Sequence, residues 1–223
     1  MRRPAILVLL LAAAACATPP AGQRPVSLVV TNGIVVTGDS GGRVIENGAV
    51  AIEGTDIVAV GGSEEIGRAF RGRETIDAGG QVVMPGLVNT HTHAPMVLYR
   101  GLADDLALMD WLNNYIFPAE ARTVSPEFVR AGTRLAALEM IQSGTTTFAD
   151  MYYFEEAIAE ETRTAGLRAV LGQTVIQFPV ADAKTPADGL ARAEAFITAF
   201  KGDPLITPAA ARRRIASRRM ARL

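Results

Sequence analysis

Hydrophobic positions divide the chain into two textures. From Ser27 to Met84 they come in short, β-branched or alternating runs separated by turn residues. Ser27–Thr37 carries two such runs around Asn32-Gly33, a dipeptide that favours the positive φ of a tight hairpin turn, so a hairpin is expected there. Asp39–Gly42 reads as another turn. Ala49–Glu53 and Asp56–Val60 alternate apolar and polar residues about Gly54-Thr55, and Gln81–Met84 adds a further strand. The segment 27–84 is therefore expected to be mainly short antiparallel strands.

From Pro85 onward the period changes to alternating strand and helix. Leu87–Asn89 is a short apolar strand, and Leu108–Phe117 a short helical segment carrying Trp111. Ser125 is placed as an N-cap with Pro126 at the first helical position; Val129, Leu135, Leu138 and Ile141 recur at helical spacing, and Gly144 closes the element. Thr145–Asp150 reads as a buried strand and Glu155–Ala165 as a helix ended by Gly166. Ala169–Leu171 and Thr174–Ile176 are strand-like, Thr185-Pro186 opens a helix to about Lys201, and Leu205–Thr207 begins another strand. This βαβαβα order implies a parallel sheet with right-handed crossovers.

Composition narrows the class. Hydrophobic residues make up 49% and charged residues 20%, as in a globular protein. The net charge of −1 hides an asymmetry: six arginines lie in the last fifteen residues, and removing them from 22 basic residues leaves 16 against 23 acidic, a balance of −7. Nothing in that acidic body argues for nucleic-acid binding. Cys16 is the sole cysteine, so an intrachain disulfide and a cysteine-based zinc site are both excluded.

The amino terminus reads as a targeting segment. Arg2 and Arg3 precede a short apolar run, Ile6–Ala15, that ends in small residues before Cys16. It resembles a bacterial lipoprotein signal over residues 1–16, in which Cys16 would become the lipidated first residue. Ordinary secretion with cleavage near Ala17 is the plainer alternative. A solvated linker over 17–26 would follow, and the expected location is the periplasm or cell envelope, with membrane attachment only through the lipid.

The chemistry concentrates in Pro85-Gly86-Leu87-Val88-Asn89-Thr90-His91-Thr92-His93. It holds both histidines of the chain. On a strand, residues i and i+2 share a face, so His91 and His93 would aim two imidazoles into one space, as ligands of one metal ion do. An ordinary polar pair at a strand end is the competing reading.

That stretch resembles the first barrel strand of the amidohydrolase superfamily. The similarity continues through Ala94-Pro95-Met96, Tyr99–Leu106, Trp111-Leu112 and Ser143–Met151, where it resembles the branch that deaminates S-adenosylhomocysteine, methylthioadenosine and related adenosines and that includes triazine chlorohydrolases. The resemblance implies an α/β fold: part of a β-sandwich over 27–84, followed over 85–208 by the first half of a TIM-like (β/α)8 metal-dependent hydrolase barrel. It implies a divalent metal, zinc or alternatively iron, hydrolysis of a carbon–nitrogen bond of an adenosine-like or other heteroaromatic amine, and a purine-facing role for Trp111. A tryptophan packed on an amphipathic helix is the alternative at that position. The adenosine-specific members often carry a glutamate two positions earlier; Met109 stands there, which leaves nucleoside specificity open.

The family's later metal ligands and acids have no counterpart. Residues 85–223 also fall short of the roughly 250 that a complete barrel takes. Residues 209–223 are accordingly expected to be a basic, out-of-frame tail, and the chain alone is expected to lack activity. A non-catalytic envelope module retaining half the fold is the second reading, complementation by a separately encoded carboxyl half is a third, and uncovered sheet edges make a homo-oligomer plausible. Asp150 is read as a structural hydrogen-bonding residue rather than a third ligand, and Asp104 and Asp105 as a solvated loop.

Overall fold

A computed structural model describes residues 22–212. They form two compact units, divided between Pro85 and Gly86.

The first unit is built on β1 (Arg24–Val36), β2 (Val44–Glu53), β3 (Asp56–Gly62), helix α1 (Ser63–Ala69), β4 (Phe70–Asp77) and β5 (Val82–Val83). They make one sheet in the order β3-β2-β1-β4, with β5 also paired to β1. Its core is Val26, Val29, Ala49, Ala51 and Ile66. The turns at Asp39–Gly42 and Gly54-Thr55 join β1 to β2 and β2 to β3 as antiparallel hairpins.

Two expectations fail in this unit. Asn32-Gly33 does not turn the chain: β1 runs through it as one strand, with register slips against β2 between Val30 and Val35. Asn32 alone takes the left-handed conformation, at φ 57°. Its backbone N–H is bound by Ser63 Oγ at 2.9 Å and its side chain donates to Asp77 at 3.1 Å. Tertiary partners therefore convert a hairpin signal into a β-bulge. The sheet is also mixed rather than mainly antiparallel, because β4 and β5 run parallel to β1. Arg71, Arg73, Glu74 and Asp77 give β4 the look of a loop in the sequence, whereas charge is what blunts an edge strand.

The second unit contains β6 (Leu87–Thr92), a 3₁₀ turn (Ala94–Tyr99), α2 (Leu108–Trp111), a π-helical segment (Leu112–Ile116), α3 (Phe117–Thr123), α4 (Pro126–Gln142), β7 (Thr145–Asp150), α5 (Glu155–Ala165), β8 (Arg168–Val175), α6 (Pro186–Ala199) and β9 (Ile206–Arg212). The strands form a four-stranded parallel sheet in chain order, β6-β7-β8-β9. The helical stretch read from Leu108 continues through the π segment to Thr123. The two strand fragments read at 169–176 are one strand. β9 runs to Arg212 in register with β8, four residues past the boundary drawn at Pro208.

Helix α4 begins as expected. Ser125 is extended, Pro126 follows, and the Ser125 hydroxyl accepts the Phe128 N–H at 3.2 Å. Ser125→Ala should therefore lower stability by about 1 kcal/mol in urea unfolding, while Ser125→Asp should hold most of it. Its buried face is not the large apolar one. Val129, Gly132, Thr133, Ala136 and Ala137 are buried, whereas Leu135, Leu138 and Ile141 are 37%, 51% and 50% exposed. Small residues bring α4 close to the 3₁₀ turn and to α5. The core between sheet and helices holds Val129, Phe148, Ile158, Leu171, Phe196 and Ile206. Helix α6 starts at a capping box between Thr185 and Asp188.

Candidate metal centre

β6 delivers the two histidines at its carboxyl end, where ligands gather in parallel βα folds. His91 is the strand's penultimate residue and His93 follows its last. The ladder with β7 slips just there: Asn89 lies opposite Phe148 and Thr92 opposite Asp150, so three steps along β6 cover two along β7. Such a bulge re-aims the side chains beside it. The two imidazoles sit with ring centroids 5.3 Å apart and planes at 73°.

The end of β7 straps this pair in place. Thr92 Oγ1 donates to the Ala149 carbonyl at 2.9 Å, and the Met151 N–H donates to the Thr92 carbonyl at 3.4 Å. The Ala94 N–H is accepted by both oxygens of Asp150, at 3.1 and 2.9 Å. Asp150 is thus a structural partner, as the sequence reading has it, and burial pushes its carboxyl up to about 7. His93 Nδ1 lies 2.6 Å from the Met151 carbonyl oxygen. A carbonyl only accepts, so Nδ1 carries the proton and the lone pair sits on Nε2. Metal-bound histidines typically use this outer hydrogen bond.

Below the pair is a buried polar cluster that the sequence did not reveal. The Tyr152 ring is 6.3 Å from that of His93, and its hydroxyl donates to Glu120 Oε1 at 2.9 Å. Tyr153 reaches the other Glu120 oxygen at 3.5 Å. Glu120 and Tyr152 are only 6% and 2% exposed. Burial and the Glu120 charge push the Tyr152 hydroxyl far above its ordinary range, so it stays protonated and donates. Glu120 lies on α3, whose one other charge, Arg122, is exposed, and nothing in its spacing marks it as buried.

Trp111 lies in a different place. Its Nε1 donates to the Leu102 carbonyl at 3.1 Å, closing one side of a cleft of about 500 Å³ that Met96, Tyr99, Arg100 and Leu106 also line. Asp104 and Asp105 belong to the same loop, where Ala103 and Asp105 take positive φ. Neither histidine lines this cleft. Cys16, the apolar run before it and the arginines from Arg213 onward fall outside the described residues.

Two imidazoles with one lone pair fixed in direction suit a borderline cation such as zinc. A catalytic zinc takes three or more protein ligands, and among the described residues no group of three His, Cys, Asp or Glu could hold a metal. The pair therefore fits as part of a ligand set.

A parallel βα sheet with a His-x-His at the mouth of its first strand defines part of a metal-dependent hydrolase barrel. The model of the amidohydrolase family matches residues 82–214, and the chain belongs to that family. It is 50% identical over 181 residues to the 5-methylthioadenosine/S-adenosylhomocysteine deaminase 1 of Syntrophus aciditrophicus, covering 81% of this chain and 41% of that protein. It is 49% identical over 150 residues to the 5'-deoxyadenosine deaminase of Methanococcoides burtonii, covering 67% and 33%. The chain thus spans about two fifths or less of the length of these relatives. Among solved structures it resembles an adenosine deaminase from Xanthomonas campestris with bound zinc, at 39% identity and a TM-score of 0.81, covering 85% of this chain and 43% of that one. These findings agree with the family and the partial barrel expected from Pro85–His93.

Proposed function

We propose that His91 and His93 hold a divalent metal, zinc in the first instance, in a site for hydrolytic deamination of an adenosine-like amine. The observation that carries this reading is the His93 Nδ1 contact with the Met151 carbonyl at 2.6 Å, on an imidazole whose ring centroid lies 5.3 Å from that of His91. Support for zinc comes from the bound zinc of the Xanthomonas structure, and support for the substrate class from the names of the relatives. His91 and His93 would hold such a metal, which when bound would supply an acidified water for attack on a ring carbon. The chain's own contribution is positional: Met151 orients one imidazole, Thr92 and Asp150 lock the backbone around it, and Trp111 offers a flat apolar wall at the cleft beyond. Arg2, Arg3 and Cys16 support export with a lipid anchor as the setting.

The test is direct titration of the metal-free chain with Co²⁺ and Zn²⁺. One ion per chain should bind, and His91→Ala or His93→Ala should each weaken binding at least tenfold. Affinity unchanged by both substitutions would sink the reading.

A further inference from the structure

The peptide group between Met151 and Tyr152 is held at both ends. Its carbonyl oxygen faces His93 Nδ1 at 2.6 Å, and its N–H donates to Glu155 Oε1 at 2.5 Å. One planar unit therefore links the Glu155 carboxyl to the His93 ring.

The chain goes to some length to place Glu155 there. It is the first residue of α5 yet has no exposed surface, although a glutamate is almost never fully buried without a partner. The residue before it, Phe154, caps the helix in the left-handed conformation at φ 55° and ψ 48°. That conformation is strained for a non-glycine residue and persists only where surroundings enforce it. Here the Phe154 N–H is bound by Asp182 Oδ2 at 2.9 Å. The resulting turn folds Glu155 back onto the peptide three residues before it. Its second oxygen, Oε2, makes no hydrogen bond among the described residues, so Glu155 is not buried to serve a wider network.

We propose that Glu155 is a positioning residue for His93, acting through the Met151–Tyr152 peptide. Holding the N–H fixes the peptide plane and hence the direction of the carbonyl. The carbonyl in turn fixes the Nδ1–H tautomer and turns Nε2 toward the metal position. Hydrogen bonds in series also strengthen one another. The role rests on the reading of His93 as a metal ligand. Loss of an outer-shell partner of a metal-bound histidine typically costs 10–100-fold in affinity. Glu155 stands one peptide further out, so its loss should cost about tenfold.

The chain has two histidines, so the ring ¹⁵N spectrum of the metal-free protein contains two imidazoles, and His91 serves as internal control. In the wild type, His93 should carry its proton on Nδ1. Glu155→Leu keeps bulk but removes the acceptor: His93 should become a mixture of tautomers, His91 should not change, and Co²⁺ affinity should fall about tenfold. Glu155→Gln keeps an acceptor oxygen and should retain both the tautomer and the affinity, while its His93 Nδ1 signal moves together with the Tyr152 amide. That correlated shift tests the link even if the leucine variant does not fold. A wild-type His93 protonated on Nε2 would overturn the proposal. So would a glutamine variant in which the Tyr152 amide moves and His93 does not, or a leucine variant in which both imidazoles change alike. Metal binding with an unresponsive tautomer overturns the relay alone, whereas a responsive tautomer without metal binding overturns the ligand reading on which the role depends.

Discussion

Gly132→Ala lowers the stability of the βα unit by about 2 kcal/mol, and Gly132→Val by more, near the upper end of what overpacking costs. Gly132 lies mid-way along α4, on the face packed against the 3₁₀ turn. A Cβ there would meet Pro95 O at 2.6 Å, Pro95 Cα at 2.7 Å and Pro95 C at 3.0 Å. All three are backbone atoms, so no rotamer change relieves the overlap and helix or turn must shift. Alanine would otherwise be the better residue, since glycine in a helix interior is about 1 kcal/mol less favourable. Gly67 in α1 makes the contrast: a Cβ there meets nothing within 4 Å, so Gly67→Ala should stabilise its own unit by up to about 1 kcal/mol. The same substitution in two helices thus has opposite signs, and urea unfolding of the two variants reads both. Pro95 is two residues from His93, so the displaced turn should also weaken metal binding. Equal, stabilising effects at both glycines would show that the close approach of α4 to the turn is not a constraint.

Gly132 also shows where sequence reading stops. Local signals were legible because their partners are near in the chain: Ser125 and Pro126 start α4, Thr185 starts α6 through Asp188, and Gly166 ends α5 in the left-handed conformation. The parallel order of the sheet followed from the alternation of strands and helices, and the His91–His93 pair from a two-residue spacing. What could not be read depends on distant atoms. Gly132 looks like a weak point of a helix until Pro95 is seen against it. Asn32-Gly33 looks like a turn until Ser63 and Asp77 are found binding Asn32. Leu135, Leu138 and Ile141 set the helical period but not the buried face. Nothing beside Glu120 or Glu155 in the chain marks either as buried, because burial of a charge is decided by tertiary partners rather than by neighbours in sequence.

Asp150 should make the second unit less stable as pH rises, against the usual behaviour of a paired carboxylate. Asp150 is 5% exposed, and burial outweighs the hydrogen bond from the Ala94 N–H, raising its carboxyl from 3.8 to about 7. The folded chain therefore keeps this proton at pH values where the unfolded chain has lost it. Stability linked to Asp150 is fully present below about pH 4 and is lost as pH rises toward and through about 7. Within that window the slope is about 1.4 kcal/mol per pH unit for one group. Asp150→Asn has no proton to lose, yet an amide oxygen can still accept the Ala94 N–H. The difference in unfolding free energy between wild type and Asp150→Asn should thus shift in favour of the variant from pH 4 to 8. Glu155 acts in the same direction: its carboxyl is also raised, first by burial and then by the charge of Asp150. Because each carboxyl makes the other harder to ionise, the two losses are coupled, and Asp150→Asn should also lower the pH at which Glu155 gives up its proton. The double variant Asp150→Asn, Glu155→Gln should have the flattest profile of the series. Parallel profiles for wild type and Asp150→Asn would mean that Asp150 is already ionised in the folded state, its charge carried by the Ala94 N–H and the strand end around it.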